Sequence, residues 1–174
     1  VNELLNIKNE FYSYNYDGVI YHIDFSNKIK KLEYYHNSSF LEYGGSPEKA
    51  VKQAFVSQID SYLKQSGKYL KNEGKITFVD IEDCLVLVSS SFSTQTSYEN
   101  QTKKAINNKF IYEAMTEFLK HQIEVYFIEN PDEAVKISEQ IMINKRSREN
   151  AEKTRLNIKK KLAGTIDLSN MVQK

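Results

Sequence analysis

The sequence predicts an α+β fold, a two-layer sandwich with helices on one face of a sheet and a long C-terminal helix that leaves the body. Three kinds of segment predict it: β-prone runs in residues 11–36, an apolar run from Leu85, and helical apolar patterns that begin near Pro47, Ile111 and Pro131. The resulting order, β-β-β-α-β-α-α, keeps most strands apart from most helices, which is typical of α+β proteins.

Residues 11–36 are predicted to form three short strands in a meander. Turn-forming residues at 15–18 and 26–28 separate runs rich in tyrosine, isoleucine and valine. One side of the second run carries four apolar residues, Val19, Tyr21, Ile23 and Phe25. This alternation predicts a strand with one buried face.

Leu85 begins a strand that we predict to be central in the sheet. The unbroken apolar run from Leu85 to Val88 is typical of buried strands, and the strand should continue to about Phe92. We assign serines 89–91 to its solvated face rather than to a nucleophile, because no base is visibly paired with them. Residues 76–79 form a further short β-prone piece.

Two helices are predicted after the first strands. Residues 46–48, Ser-Pro-Glu, combine an N-cap, a first-turn proline and an acid that suits the helix dipole. Apolar spacing extends this helix from about Pro47 to Gln65, with Gly67 as a plausible stop. A second helical stripe of apolar residues runs from Ile111 to Tyr126.

The last helix is the longest and decides how we divide the chain. It starts after Asn130 at Pro131 and meets no breaker until Gly164. A length of 174 residues suits one core, so we expect one domain. Residues 1–130 would form its α+β core, and residues 131–174 its long helix and basic tail.

Composition narrows the function classes. The formal net charge of +1 gives no strong overall field for nucleic acid or membrane, so any such attraction must be local. Cys84 is the single cysteine and has apolar neighbours, which predicts a buried thiol in a reducing compartment. No run approaches the ~20 apolar residues of a membrane span, and residues 1–10 lack signal-peptide features. We therefore expect a cytoplasmic protein with no membrane partner.

No complete enzyme site is visible. His22, His36 and His121 lack partners at metal-ligand spacing, so we expect no metal site and interpret them as surface or satisfied core residues. Nucleotide-binding glycine motifs and a nucleophile elbow are also missing, and we predict no catalytic residue. Because the chain begins with Val1, we expect a segment of a longer protein, although removal of an initiator methionine would leave the same start.

A basic segment from Lys145 to Lys161 is the first candidate interface. It carries eight basic residues against two acidic ones. On a helix, one face would carry Lys145, Arg148, Arg155 and Lys159. Such a stripe suits contact with a DNA phosphate backbone, and the alternative is a solvated face that keeps a protruding helix soluble.

A polar loop formed by Gln101, Thr102 and Lys103 is the second candidate. In an extended segment Gln101 and Lys103 project together, since residues two apart point the same way. An amide and a cation side by side suit a terminal phosphate, because one donates directionally and the other supplies charge. The alternative is an ordinary exposed loop.

Five short motifs occur in the order found in one known family. They are Gly44-Gly45, residues 80–85 (Asp-Ile-Glu-Asp-Cys-Leu), Gln-Thr-Lys at 101–103, Glu-Asn-Pro at 129–131, and residues 145–151 (Lys-Arg-Ser-Arg-Glu-Asn-Ala). With these motifs the segment from Gly44 to Lys174 resembles the transducer domain of the ATPase subunit of type IIA DNA topoisomerases, the gyrase B and ParE group.

The resemblance implies a fold and a role. The fold would be like that of a ribosomal protein, with a left-handed β-α-β crossover that general chirality rules do not predict. Gln101 and Lys103 would contact the ATP γ-phosphate, and the long helix would pass the effect of hydrolysis to a DNA-cleaving region. Implied partners are DNA, the ATP-binding domain of the same chain, a second protomer of a homodimer and a DNA-cleaving subunit or domain. The cofactor would be ATP with Mg²⁺ in the full-length enzyme, with none expected in this segment.

Departures from the family pattern qualify this role. Ser46-Pro47 replaces Thr-His, while Glu82 and Cys84 replace Arg and Gly, which indicates a divergent branch of phage or mobile-element type. The catalytic parts of ATP hydrolysis and DNA cleavage lie outside this chain, so it should be inactive alone. Two other interpretations stay open: a stand-alone nucleic-acid-binding module that uses the basic helix, and a structural adaptor. Supercoiling, decatenation and relaxation are not distinguished.

Overall fold

A computed structural model describes residues 12–16, 19–26, 28–94, 98 and 104–171. Within these residues the chain forms seven strands and four helices in the order β1–β5, α1, α2, β6, β7, α3, α4. The predicted α+β class with a long C-terminal helix is confirmed. None of the described helices is long and apolar enough to cross a membrane.

Five strands form the main sheet and two form a small separate pair. The main sheet has the order β1-β2-β6-β3-β4. Its strands are Tyr12–Tyr16 (β1), Val19–Phe25 (β2), Lys31–His36 (β3), Ser39–Phe40 (β4) and Leu85–Ser91 (β6). The small parallel pair joins β5, Gly44–Gly45, to β7, Ala105–Ile106.

The predicted meander is wrong, because β6 lies between β2 and β3. It pairs antiparallel with β2 and parallel with β3, so the prediction of a central β6 is correct. The pairing between β2 and β6 continues one residue beyond the strands, where the Ser26 amide donates to the Cys84 carbonyl at 2.8 Å. Because β6, the most apolar strand, is central, both of its edges are hydrogen-bonded to neighbouring strands. A simple hairpin between β2 and β3 would not allow this.

The helices span Ser46–Gln65 (α1), Phe78–Glu82 (α2), Lys109–Glu129 (α3) and Pro131–Met171 (α4). The predicted bounds of α1 are confirmed to within one residue, but its N-cap is Gly45 rather than the predicted Ser46, which lies inside the helix. The prediction of β structure at residues 76–79 is wrong, because Thr77 and Asp80 form a capping box that starts α2. Gly164 does not end α4. Parallel β3 and β6 are joined through α1 and α2, and the left-handedness of that crossover stays a prediction.

The core lies between the sheet and the helices. Burial alternates along β6, and its buried side carries Leu85, Leu87, Ser89 and Ser91. The assignment of the serines to a solvated face is therefore wrong for Ser89 and Ser91, since strand period places them with the leucines. Cys84 is buried as predicted, and burial raises the pKa of its thiol to about 12.

Candidate functional site

Gln101, Thr102 and Lys103 lie outside the described residues, but Tyr98 before them and the segment from Lys104 after them are described. An antiparallel bridge pairs Tyr98, which precedes the loop, with Ile106, which follows it. The same segment, β7, pairs in parallel with Gly44 and Gly45 immediately before α1. We call Tyr98, Lys104–Ile106 and Gly44–Gly45 the loop base.

Gly45 permits the close approach of backbones in the loop base. Its φ of +82° is in the left-handed region, and a Cβ atom there would lie 2.1 Å from the carbonyl oxygen of Ile106. That distance is far inside van der Waals contact, so only glycine fits without moving β7. The Gly-Gly motif thus joins the start of α1 to the end of the polar loop.

Lys104 adds side-chain contacts to the loop base. Its ammonium forms an ion pair with Glu42 and lies 5.7 Å from the centre of the Tyr43 ring. The hydrogen bond with Glu42 raises the pKa of Lys104. The Tyr43 amide also donates to the Lys104 carbonyl at 3.0 Å. Because both charged groups are about half exposed, the backbone contact matters more than the ion pair.

A buried histidine supports the loop base from the sheet. His36 ends β3, is fully buried, and has its Nδ1 atom 2.8 Å from Ser91 Oγ at the end of β6. Its ring meets the Tyr98 ring edge-on at 6.4 Å between centroids. Burial lowers the pKa of His36, which favours the neutral ring. Of the two interpretations left open for the histidines, surface or satisfied core, His36 is a satisfied core residue.

A second polar region fixes the first half of α4 to the body. Lys145 has no exposed side-chain surface, and its ammonium lies 3.1 Å from Glu73 and 2.9 Å from Glu149. Burial favours the neutral amine, but the two carboxylates outweigh it and raise the pKa of Lys145. Lys145 is therefore a paired internal cation.

Glu73 binds two consecutive residues of α4. Arg146 donates to both carboxylate oxygens of Glu73, at 3.0 and 3.1 Å, while Lys145 donates to one of them. The Leu70 amide donates at 2.7 Å from the same loop. The hydrogen bonds from Arg146 hold the pKa of Glu73 down to about 2, against the opposing effect of burial.

Asp80 joins α2 to α4. Arg148 binds it in a bidentate manner, with Nε to Oδ1 at 2.7 Å and Nη2 to Oδ2 at 3.1 Å. The Thr77 amide donates to Oδ2 at 2.8 Å, and Asn144 donates to the Asp80 carbonyl at 3.0 Å. Burial would raise the pKa of Asp80, but hydrogen bonds from Arg148 and Thr77 lower it overall. We call these contacts of Glu73 and Asp80 with α4 the α4 clamp.

The predicted basic stripe is divided by the clamp. Lys145 and Arg148 are engaged with acids of the body, whereas Arg155 and Lys159 lie where every side chain from 150 to 164 is exposed. Contact with DNA stays a prediction, and Arg155 and Lys159 are the members exposed to make it in this conformation. Ile137, Ile141 and Lys145 are spaced four residues apart, so they lie in one row on the helix. Because the two isoleucines are buried, this spacing could have indicated that Lys145 is buried too.

The acids of the clamp were missed by sequence reasoning. Asp80 was noticed only as part of a family motif, and no local pattern marks Glu73, which lies 72 residues before its partner Lys145. Among the described residues, no group of three or more His, Cys, Asp or Glu side chains is placed to hold a metal ion.

Comparison with known proteins places the chain in a family. Residues 6–157 match the family model described as DNA gyrase B. The DNA gyrase B protein of Spiroplasma citri is 30% identical over 129 residues, which cover 73% of this chain and 20% of the relative. That of Thermotoga maritima is 26% identical over 139 residues, which cover 80% of this chain and 20% of the relative. The chain thus spans about a fifth of the length of these curated relatives.

Two solved structures share the fold. The 43K ATPase domain of Thermus thermophilus gyrase B, in complex with an aminocoumarin, superposes with a TM-score of 0.69 at 20% identity over 82% of this chain and 39% of that one. The topoisomerase IV ATP-binding domain of Francisella tularensis, in complex with a small-molecule inhibitor, superposes with a TM-score of 0.67 at 23% identity. The match covers 78% of this chain and 39% of that one. Because the family model matches most of the length of this chain, the chain belongs to the DNA gyrase B family.

Proposed function

We propose that this chain is the transducer domain of an ATP-dependent type II DNA topoisomerase, an isomerase that is active only in the full-length protein. The family assignment supports the class of enzyme. The loop base supports the mechanistic part, because it pairs Tyr98 with Ile106 on the two sides of Gln101 and Lys103 and pairs Ile106 with Gly45 at the start of α1. A loop held at both ends presents its side chains at low cost in conformational entropy.

Gln101 and Lys103 would contact the γ-phosphate of ATP bound by the ATP-binding domain of the same chain, with Mg²⁺ on the nucleotide. The glutamine amide donates in a fixed direction, and the lysine supplies positive charge where the phosphate is most negative. Hydrolysis removes this phosphate and with it the attraction, so the loop is released. The shift would pass through β5 to α1, which begins directly after Gly45.

The helix α4 would act as the output arm. The α4 clamp makes its first half part of the domain body, while residues 150–164 extend into solvent. A helix fixed at one end moves as a lever when the body rotates. This arrangement suits transmission toward a DNA-cleaving subunit or domain in a homodimeric enzyme.

Lys103→Ala in the full-length protein tests the phosphate contact. We expect ATPase turnover to fall by about 100-fold or more, since removal of one preorganised charge contact typically costs 10²–10³ in rate. Lys104→Ala is the matched control: it removes the same charge next to Lys103, but its ion pair is about half exposed and its backbone contact with Tyr43 remains, so turnover should change little. Equal effects of the two substitutions would remove Lys103 from the phosphate role.

DNA contact by the exposed part of α4 is a second proposal, carried by the exposure of Arg155 and Lys159. Arg155→Ala combined with Lys159→Ala should weaken duplex binding and lower the salt slope of log K by about 1 per lost phosphate contact. Lys71→Ala with Lys136→Ala removes the same charge from exposed positions elsewhere. An unchanged slope in the first variant would favour a merely solvated face.

A further inference from the structure

The segment between α1 and α2, residues 66–77, lies between the two regions that the proposed function uses. It follows α1, which begins directly after Gly45 of the loop base, and it carries Glu73 of the α4 clamp. We call residues 66–77 the bridge segment. A displacement of α1 reaches α4 through this segment only if the segment is held firmly to both helices.

The bridge segment turns back along α1. The Ser66 and Lys68 amides donate to carbonyls in the last turn of α1, both at 2.9 Å, and Gly67 between them has a φ of +65°. Such a left-handed residue after a helix reverses the chain while the last carbonyls stay bonded. The turn brings Tyr69 beside Asp60, nine residues earlier in the chain.

The Tyr69 hydroxyl joins the bridge segment to α1. It donates to Asp60 Oδ1 at 2.8 Å and accepts a hydrogen bond from the Ile76 amide at 3.1 Å. Asp60 and Ile76 are buried, so water does not compete freely for these bonds. Burial, together with the nearby Asp60 charge, raises the pKa of Tyr69 and keeps its proton in place for the carboxylate. One oxygen atom thus fixes both ends of residues 69–76 to α1.

The two Tyr69 contacts close a loop that holds Glu73. Within this loop the Glu73 amide donates to the Leu70 carbonyl at 3.0 Å, and the Leu70 amide donates to a Glu73 carboxylate oxygen at 2.7 Å. The carboxylate is therefore oriented by its own turn, and Lys145 and Arg146 of α4 bind it there. The bridge segment is thus connected to α1 by hydrogen bonds and to α4 by ion pairs.

We propose that Tyr69 is a positioning residue that couples α1 to α4, because its hydroxyl holds the bridge segment to Asp60 while Glu73 holds the same segment to α4. The inference rests on the proposed function, since it requires α1 to move when the polar loop is released. A second route passes from α1 to α3, where Tyr62 packs edge-on against Phe127, and α3 leads into α4. That route does not use the Tyr69 hydroxyl, so experiments can separate the two.

Amide hydrogen exchange in the full-length protein tests the contact itself. Tyr69→Phe keeps the ring, and Lys64 still pairs with Asp60 at 2.6 Å, so the fold should persist. We expect exchange of the Ile76 amide to become about ten-fold faster, the equivalent of about 1.4 kcal/mol for a hydrogen bond to a charged group. Tyr62→Phe removes a hydroxyl of α1 outside these contacts and should leave this exchange unchanged. Unchanged exchange in Tyr69→Phe, or equal acceleration by both substitutions, would overturn the proposal.

The coupling is tested in the complete enzyme by two rates, ATP turnover and the change in linking number of a circular plasmid. Tyr69→Phe should keep ATP turnover near the wild-type value but lower the linking-number change per ATP about ten-fold. A loss of folded protein would lower both rates together, so their ratio separates positioning from stability. Asp60→Asn still offers Tyr69 an oxygen acceptor and should keep the ratio.

The outcomes distinguish this inference from the proposed function. An unchanged ratio for Tyr69→Phe in an active enzyme would overturn the inference alone. A wild type without ATP-dependent change in linking number would overturn the proposed function and the inference with it.

A double variant shows whether Tyr69 acts through Glu73. Glu73→Gln alone should lower the ratio, since it weakens the contact of the bridge segment with Lys145 and Arg146. Addition of Tyr69→Phe should then lower the ratio little further, because both substitutions interrupt one connection. Fully multiplicative effects would mean that Tyr69 acts by another path, and the proposal would fail.

Discussion

The loop base and the α4 clamp both join segments that are distant in sequence, but different forces hold them. In the loop base, β5 and β7 are joined by backbone pairing, and Gly45 lets the two segments approach because it has no Cβ atom. In the α4 clamp, carboxylates of Glu73 and Asp80 bind cations of α4. The first contact depends on shape, and the second depends on charge.

This difference bears on how each region responds to its surroundings. Backbone hydrogen bonds do not titrate, so the loop base should keep its geometry over a wide range of pH and salt. Buried ion pairs require both partners to stay charged, and removal of one partner leaves the other desolvated without compensation. The clamp is thus the more easily broken of the two regions, and by single substitutions.

Asp80→Ala should have the largest effect on stability. It removes the bidentate partner of Arg148 and the capping acid of α2 together. We expect the free energy of unfolding to fall by about 3 kcal/mol, the lower end of the range for a broken buried pair, because Arg148 is partly exposed. Urea unfolding measures the change.

Glu152→Ala is the matched control for Asp80. It removes the other carboxylate that contacts Arg148, but this one is 61% exposed. The expected change is below about 1 kcal/mol. If the two substitutions had equal effects, the clamp would be no more than a set of surface ion pairs.

Acid should weaken the clamp through Glu73, the next largest effect. The pKa of this carboxyl is about 2 in the folded chain, below its ordinary value of 4.5. A lowered pKa contributes stability above the ordinary value, and that stability is lost as the pH falls from about 4.5 toward 2. Unfolding measured across this range should show a steeper loss in the wild type than in Glu73→Gln. Parallel curves for the two proteins would contradict this role.

Local patterns in the sequence predicted most of the fold. The first-turn signals at Pro47 and Glu48 and the apolar run from Leu85 are local, and the structure confirms both α1 and a central β6. The insertion of β6 between β2 and β3 was missed, because pairing depends on where the chain goes after α1 and leaves no mark in residues 11–36. At residues 76–79, a capping box outweighed β propensity.

The candidate site was less accessible to sequence reasoning. Spacing gave Lys145 and Arg155 the same helical face, but only packing shows that Lys145 is buried with Glu73 and Arg155 is exposed. Charge counts do not reveal which cations have internal partners. Gly45 was recognised through its motif, while the reason for glycine, the close approach of Ile106, needed the structure.

Gly45→Ala tests the loop base by shape alone. A Cβ atom would meet the Ile106 carbonyl at 2.1 Å, so β7 must move in addition to the strain of φ at +82°. We expect a loss of about 2 kcal/mol or more, since a residue held in a sparsely populated φ/ψ region alone costs about 1–3 kcal/mol. Gly67→Ala is the control for a positive φ at an open position, because its φ is +65° and nothing lies within 4 Å of the added atom. A loss at Gly45 no larger than that at Gly67 would contradict the steric role of Ile106.

Glu42→Ala should have the smallest effect of these changes. It removes the ion pair of Lys104 but leaves the Tyr43 amide bonded to the Lys104 carbonyl and leaves β5 paired with β7. Both charged groups are about half exposed, so water and salt replace their attraction easily. We expect the unfolding midpoint to stay the same in low and high salt. A clear loss that disappears in high salt would mean that charge also holds the loop base, and the contrast with the α4 clamp would then fail.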